Sequence, residues 1–170
     1  MSKNFGNIQA EQKEWSVRNF GAHDHKYRPL LGVIEELGEF YEATTMGAKD
    51  AALDAVGDVV VYMCDVCNQW GWDLNALYEA RLITSNADWP IARIQGKLAH
   101  HQLKYDQNIR KGEHHESQLL TLMKMVLYRL DESCEFMNVE LTEVVQSVWD
   151  QVRQRSWVEN PDNAHEVAGG

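Results

Sequence analysis

The sequence predicts an all-α protein, a four-helix-bundle core with additional short helices, and three observations lead there. Apolar residues recur at steps of three and four over most of the chain. Glycine, proline or asparagine stands at the breaks between those runs. No stretch of useful length alternates apolar and polar residues as a strand would.

Taken in order, residues 8–20 read as a first helix pinned by Ile8, Trp15 and Phe20, and Gly21 opens a polar loop. Its His23 and His25 suit solvent better than a metal. Pro29 fits the first turn of a helix, and Leu30, Leu31, Ile34, Leu37 and Tyr41 follow at helical spacing up to a cap at Gly47. A third helix runs from about Lys49 to Gln69 on a seam of Leu53, Val56, Val60, Met63 and Cys67, and Gly71 ends it. Asp73 is placed to cap a short helix over Leu74, Leu77 and Leu82. Pro90 opens a helix expected to reach about Lys111, through Ile94, Leu98, Tyr105 and Ile109. Residues 116–137 form the next, Asn138 turns the chain, and residues 140–155 form the last.

The 170 residues suit one domain, 1–170, with a core of its own. Within it lie a hairpin over 29–71, a second over 90–137, and a tail over 158–170 expected to be flexible. A faint similarity between 62–77 and 128–144, and between 30–43 and 93–107, lets the two hairpins be read as related and packed face to face. In that arrangement the acidic residues of the first oppose Ala99, His100, His101, Leu103 and Lys104.

The net charge of −10 argues against a nucleic-acid partner, which needs a basic surface for phosphates. No signal pattern follows Met1, and the longest apolar run, 59–64, cannot cross a bilayer, so a cytoplasmic protein with no membrane partner is expected. Cys64 and Cys67 make a C-x-x-C without a second pair; with Cys134 they read as reduced core thiols rather than a zinc or redox site.

The chemistry lies in five carboxylates. Glu35, Glu36 and Glu39 share a face of one helix, and Asp54 and Asp58 a face of the next. Glu39 and Asp58 are flanked by Leu37, Phe40, Val56, Val59 and Val60, where a stability-driven sequence would be apolar. Unpaired buried charge is costly, and few basic residues lie nearby. A hard divalent cation would resolve the conflict: an all-oxygen set suits Mg²⁺ or Mn²⁺ and not zinc or copper. The matching reaction is attack of water on a phosphoanhydride, with one less committed carboxylate orienting and deprotonating the water. Lys97, His101, Lys104 and Lys111 follow one stripe, with Arg110 near its end, and offer either a polyphosphate clamp or a solvated face. The second acidic group, Asp131, Glu132, Glu135, Glu140 and Glu143, is expected at the surface.

EELGE (35–39) followed by DAVGD (54–58) resembles the paired acidic signature of the MazG-like all-α nucleoside triphosphate pyrophosphohydrolases, whose plan all-α dUTPases and phosphoribosyl-ATP pyrophosphohydrolases share. WSVRNFG (15–21) and VWDQVRQRSW (148–157) look like that branch too. The resemblance implies Mg²⁺-dependent hydrolysis of a nucleoside triphosphate to the monophosphate and pyrophosphate. Glu36, Glu39 and Asp58 match the metal ligands, and Glu35 matches the extra acid, the residue to position the water. The acid expected three before Asp58 is Ala55 here, and Asp54 is its local substitute. Lys104 and Arg110, with Lys97 and His101, are candidate triphosphate contacts, and Trp15 and Phe20 are core residues that could border the base. A homodimer or larger homo-oligomer is expected. The alternatives are a dUTPase-like or other specialised pyrophosphohydrolase, and a catalytically silent helical protein that binds nucleotide or metal.

Overall fold

A computed structural model describes residues 4–22, 26–82, 88–107 and 112–161, apart from the side chain of Glu113. His23, His25, Ile109, Arg110 and Lys111, and most of the tail, lie outside them. Among the described residues the chain forms helices and no strand: α1 (Ile8–Phe20), α2 (Arg28–Thr45), α3 (Lys49–Trp70), α4 (Leu74–Glu79), α5 (Ile91–Asp106), α6 (Glu113–Phe136) and α7 (Leu141–Val152).

The centre is α3. It packs on α2 most extensively, and also on α1, α4, α6 and α7. This encirclement is why its sequence is apolar nearly all round: Val56, Val59, Val60, Val61, Met63, Cys64, Val66 and Cys67 are all buried. One stripe interrupts it, Asp54, Asp58, Tyr62 and Asp65, spaced four, four and three residues apart so that it climbs a single face. The helices α5 and α6 pack together, α5 on α2 and α6 on α3, completing a helical bundle.

The expected stops are built as turn chemistry requires. Gly47 (φ +69°) lets the amides of Gly47 and Ala48 return to the carbonyls of Thr44 and Ala43, at 3.2 and 2.9 Å, closing α2 in a Schellman turn. The Asp73 carboxylate accepts from the amides of Asn75 and Ala76, capping α4. Asn138 takes φ +58° at the expected turn.

Boundaries differ where long-range bonds intervene. The short helix stops at Glu79, before Leu82, because the Arg81 guanidinium bonds back to the Tyr78 carbonyl and across to Asp131. Asp131, expected on the surface, is therefore a half-buried partner of Arg81 and of the Tyr78 hydroxyl. The α5 helix ends at Asp106 rather than near Lys111, and α6 begins three residues early, behind Gly112 at φ +96°. The last helix ends at Val152 instead of 155. Beyond it, the Trp15 indole donates to the Arg155 carbonyl (3.0 Å), and the Trp157 amide donates to the Asn19 side chain (2.7 Å). Those bonds draw the chain after α7 onto α1.

Cys64, Cys67 and Cys134 are free and buried, as expected of core thiols. Burial pushes the Cys67 and Cys134 thiols up to about 12, which leaves them protonated and unreactive. No helix among the described residues is long and apolar enough to cross a membrane.

Close approach of α3 and α7 depends on one glycine. A Cβ on Gly57 would lie 2.3 Å from Val148 Cγ2, on a stiff β-branched side chain that cannot swing away. Gly57→Ala should therefore destabilise the fold by roughly 1–3 kcal/mol, overpacking outweighing the ~1 kcal/mol that alanine adds in helix propensity. A denaturant melt checks this; a neutral or stabilised variant would mean that α7 moves freely against α3.

Candidate functional site

Two glycines and one turn set up the site. The Gly38 position in α2 sits opposite Gln95 of α5, whose amide donates to the Ile34 carbonyl at 2.6 Å, fixing α2 against α5 on that side. Gly32 leaves room for the Tyr62 ring, whose atoms would lie 2.3–2.6 Å from any Cβ there. With the Schellman turn at Gly47, α2 and α3 run antiparallel, and their acidic faces meet.

Glu36 and Asp58 are half-buried, while Glu35, Glu39 and Asp54 are exposed around them. The five share one electrostatic environment. Glu36 is pushed up to about 8, by burial first and then by Asp58, Glu39, Glu35 and Asp54. Asp58 is pushed up to about 6, by burial and then Asp54 and Glu39, against a lowering pull from Arg155. Asp54 is thus the foremost charge acting on Asp58, whereas Ala55 is packed into the core. The substitute acid faces the cluster, and the position three before Asp58 does not. Glu39 corrects the expectation of a buried pair: its flanking apolar residues turn inward and leave its own side chain in solvent.

Glu36 and Asp58 open onto a cavity of about 250 Å³. Its far wall is not α5, as the face-to-face reading expects, but α1 and the chain after α7. Trp15, Phe20 and Trp157 make that wall aromatic; Phe20 meets Trp15 edge-on, with ring centroids 5.6 Å apart, and leans on Trp157. Tyr62 and Asp65 complete the α3 side, and Arg155 projects into the same space. The wall is held by polar bonds rather than by packing alone. Asn68 of α3 donates to the Gln9 carbonyl and the Gln12 side chain, and the Trp149 indole donates to Glu11 at 2.7 Å.

The basic stripe goes elsewhere. Lys97 and His101 line a separate cavity between α5 and α6, sharing no residue with the acidic one. Lys104 bonds Gln107 at 3.0 Å, and Arg110 lies outside the described residues. The expectation of a clamp poised over the carboxylates is corrected for Lys97 and His101: α2 presents one face to α5 and another, bearing Glu36, to the acidic cavity.

Tyr62, Asp65, Arg155 and Trp157 are among the lining residues of the acidic cavity that the sequence reading does not assign to a site. Tyr62 and Asp65 carry a signal, since they continue the Asp54–Asp58 spacing up an otherwise apolar helix. Arg155 and Trp157 lie in the VWDQVRQRSW stretch that shares in the resemblance, but nothing local assigns them to the site, because they follow the end of α7 and only tertiary bonds bring them back. Arg155 Nε is buried with no hydrogen-bond partner among the described residues, which costs stability unless something polar enters the cavity.

In chemistry the all-oxygen set suits a hard divalent cation rather than a soft one, and burial, then neighbouring carboxylates, raises the proton affinity of Glu36 and Asp58. Among the described residues no group of three or more His, Cys, Asp or Glu side chains stands in an arrangement that could hold a metal ion. No protein-family model, curated protein or solved structure matches the chain.

Proposed function

We propose that this chain hydrolyses a nucleoside triphosphate to the monophosphate and pyrophosphate with the help of Mg²⁺ or Mn²⁺. The observation that carries the reading is that Glu36 and Asp58, which feel the charges of Glu35, Glu39 and Asp54, open onto an aromatic cavity that also holds an arginine. The resemblance of EELGE and DAVGD to the MazG-like signature supplies the reaction type.

Glu36, Glu39, Asp54 and Asp58 would hold the metal. The ion supplies neutralisation of the triphosphate charge and polarisation of its oxygens. Glu35, exposed at the edge of the cluster, is the carboxylate left to orient the attacking water and take its proton. That water adds to the α-phosphorus as the bond to the β-phosphate oxygen breaks, and pyrophosphate departs. Trp15, Phe20 and Trp157 offer flat apolar faces to a base, and Arg155 gives the buried cavity a cation for a phosphate oxygen. The cavity, at about 250 Å³, fits the base and sugar rather than the whole triphosphate, which leaves the phosphates at the carboxylate mouth.

A panel of ribo- and deoxyribonucleoside triphosphates, dUTP included, tests this by release of pyrophosphate with Mg²⁺ and with EDTA. Metal-dependent release from one or more of them is expected. Release confined to dUTP would select the dUTPase-like reading. One observation favours a silent binding protein: buried Ala55 where the signature has an acid. Saturable nucleotide binding without pyrophosphate release on any member of the panel would replace the enzyme with that reading.

A homodimer is part of the proposal. It is supported by large apolar side chains left in solvent in the last turns of α2, on the α2–α3 turn and at the end of α6, Tyr41, Met46 and Phe136, the last 89% exposed. Sedimentation should give a dimer or larger species; a monomer at about 50 μM would remove it.

A further inference from the structure

The cavity between α5 and α6 is unlike the rest of this acidic molecule. Its volume is about 300 Å³, and its polar lining is Lys97, His100, His101, His114, Ser117 and Thr121, with Gln118. Among the described residues no carboxylate lines it. In a chain of net charge −10 that is a local reversal of sign. The acidic cavity, lined by Glu36, Asp58 and Asp65, is its opposite.

One of those side chains is built in. His101 is only 5% exposed, and its Nδ1 lies 3.0 Å from Nδ1 of His115, itself 3% exposed. The other nitrogen of His115, Nε2, is hydrogen-bonded to the buried Tyr27 hydroxyl. These two bonds tie the start of α2 to α6 and α6 to α5, and hold both imidazole rings in place. Burial also holds the Tyr27 hydroxyl in its protonated form, by raising its pKa. The chain of bonds thus anchors a wall that carries an ammonium group, imidazoles and the Ser117 hydroxyl.

We infer that the α5–α6 cavity is a second binding site, for the phosphate group of a small anion, separate from the carboxylate site. Lys97 supplies the permanent charge. Ser117 presents a hydroxyl donor from α6, Thr121, whose own proton is on the Ser117 carbonyl, lines the wall beside it, and Gln118 and His114 add N–H donors. So many donors, drawn from two helices, suit the oxygens of a doubly charged tetrahedral group better than a planar carboxylate. The inference does not rest on the proposed hydrolase activity.

Calorimetric titration of the full chain in EDTA tests it with inorganic phosphate, pyrophosphate and succinate as probes. Without metal the carboxylate cluster repels all three, so heat reports the α5–α6 cavity. Saturable binding of one phosphate or pyrophosphate per chain is expected. Lys97→Met and His114→Ala, both at exposed positions compatible with folding, should weaken it about 10-fold or more, the loss of one charge-assisted bond. Lys104→Met, on the same helix but not lining the cavity, should leave it unchanged. Absence of saturable binding up to about 10 mM, equal binding in Lys97→Met and His114→Ala, or equal weakening by Lys104→Met would overturn the site. Succinate binding as tightly as phosphate would overturn its assignment to phosphate.

Discussion

Glu36→Gln and Asp58→Asn should abolish pyrophosphate release and yet leave the metal-free protein as stable as the parent or more so. Both changes keep side-chain shape and remove one charge. In the metal-free protein that carboxyl group is half-buried and faces other carboxylates, so folding must either bury its charge or hold its proton. Burial and repulsion raise Glu36 to about 8 from its ordinary 4.5. A shift of that size in a fully buried group would correspond to several kcal/mol. Nearly half the group remains in solvent, and screening reduces the gain to on the order of 1 kcal/mol. Activity should fall by more than the ~10–100-fold typical of groups that only support a metal ligand. If the carboxylates were instead structural, each substitution would remove a needed acceptor and cost on the order of 1–3 kcal/mol. The measurement is a denaturant melt in EDTA beside an assay in Mg²⁺. Full activity in both variants, or strong destabilisation of both without metal, would take these residues out of the site. Functional sites often carry this opposition between stability and use.

The stability of the metal-free protein should fall as pH rises from about 4 to about 8, and millimolar Mg²⁺ should remove most of that fall. Glu36 and Asp58 both hold their protons more tightly folded than unfolded, to about 8 and about 6 against ordinary values of 4.5 and 3.8. Between those values the folded state binds more protons, so the slope of unfolding free energy with pH is negative. Their contribution is intact below about 4, declines through 6 for Asp58 and 8 for Glu36, and is lost above that. The informative quantity is the difference in slope between the parent and Glu36→Gln/Asp58→Asn, which share every other ionisable group. Mg²⁺ binds only the folded arrangement of ionised carboxylates and adds about 1.4 kcal/mol at ten times its dissociation constant. Melts in EDTA and in Mg²⁺ across pH 5 to 9 read both effects. Parallel curves for parent and double variant would show that the cluster is not strained.

Read from residues alone, the chain specifies seven helices, their order, the stops at Gly47, Gly71 and Asn138, and the pairing of two acidic faces. These are local or near-local matters. A period of 3.6 residues, a glycine at positive φ and a carboxylate four residues from another act within one helix or one hairpin, and the α2–α3 hairpin needs no distant partner to bring Glu36 toward Asp58. Tertiary packing decided the rest. Which face of α2 meets α5 is set by Gln95 on the Ile34 carbonyl, and that choice turned Glu36 toward α1 instead of toward the basic stripe. The stripe acquired its own cavity because α6 packs beside α5. Depth of burial could not be foretold either: Glu39 and Asp58 have similar apolar neighbours in sequence, but only Asp58 lies on α3, the helix that others surround. Arg155 and Trp157 joined the site through two hydrogen bonds with α1, one donated by Trp15 and one accepted by Asn19, more than a hundred residues away along the chain. Long-range bonds of that kind have no period and leave no local signature, because their energy depends on where two helices come to rest and not on the residues beside them.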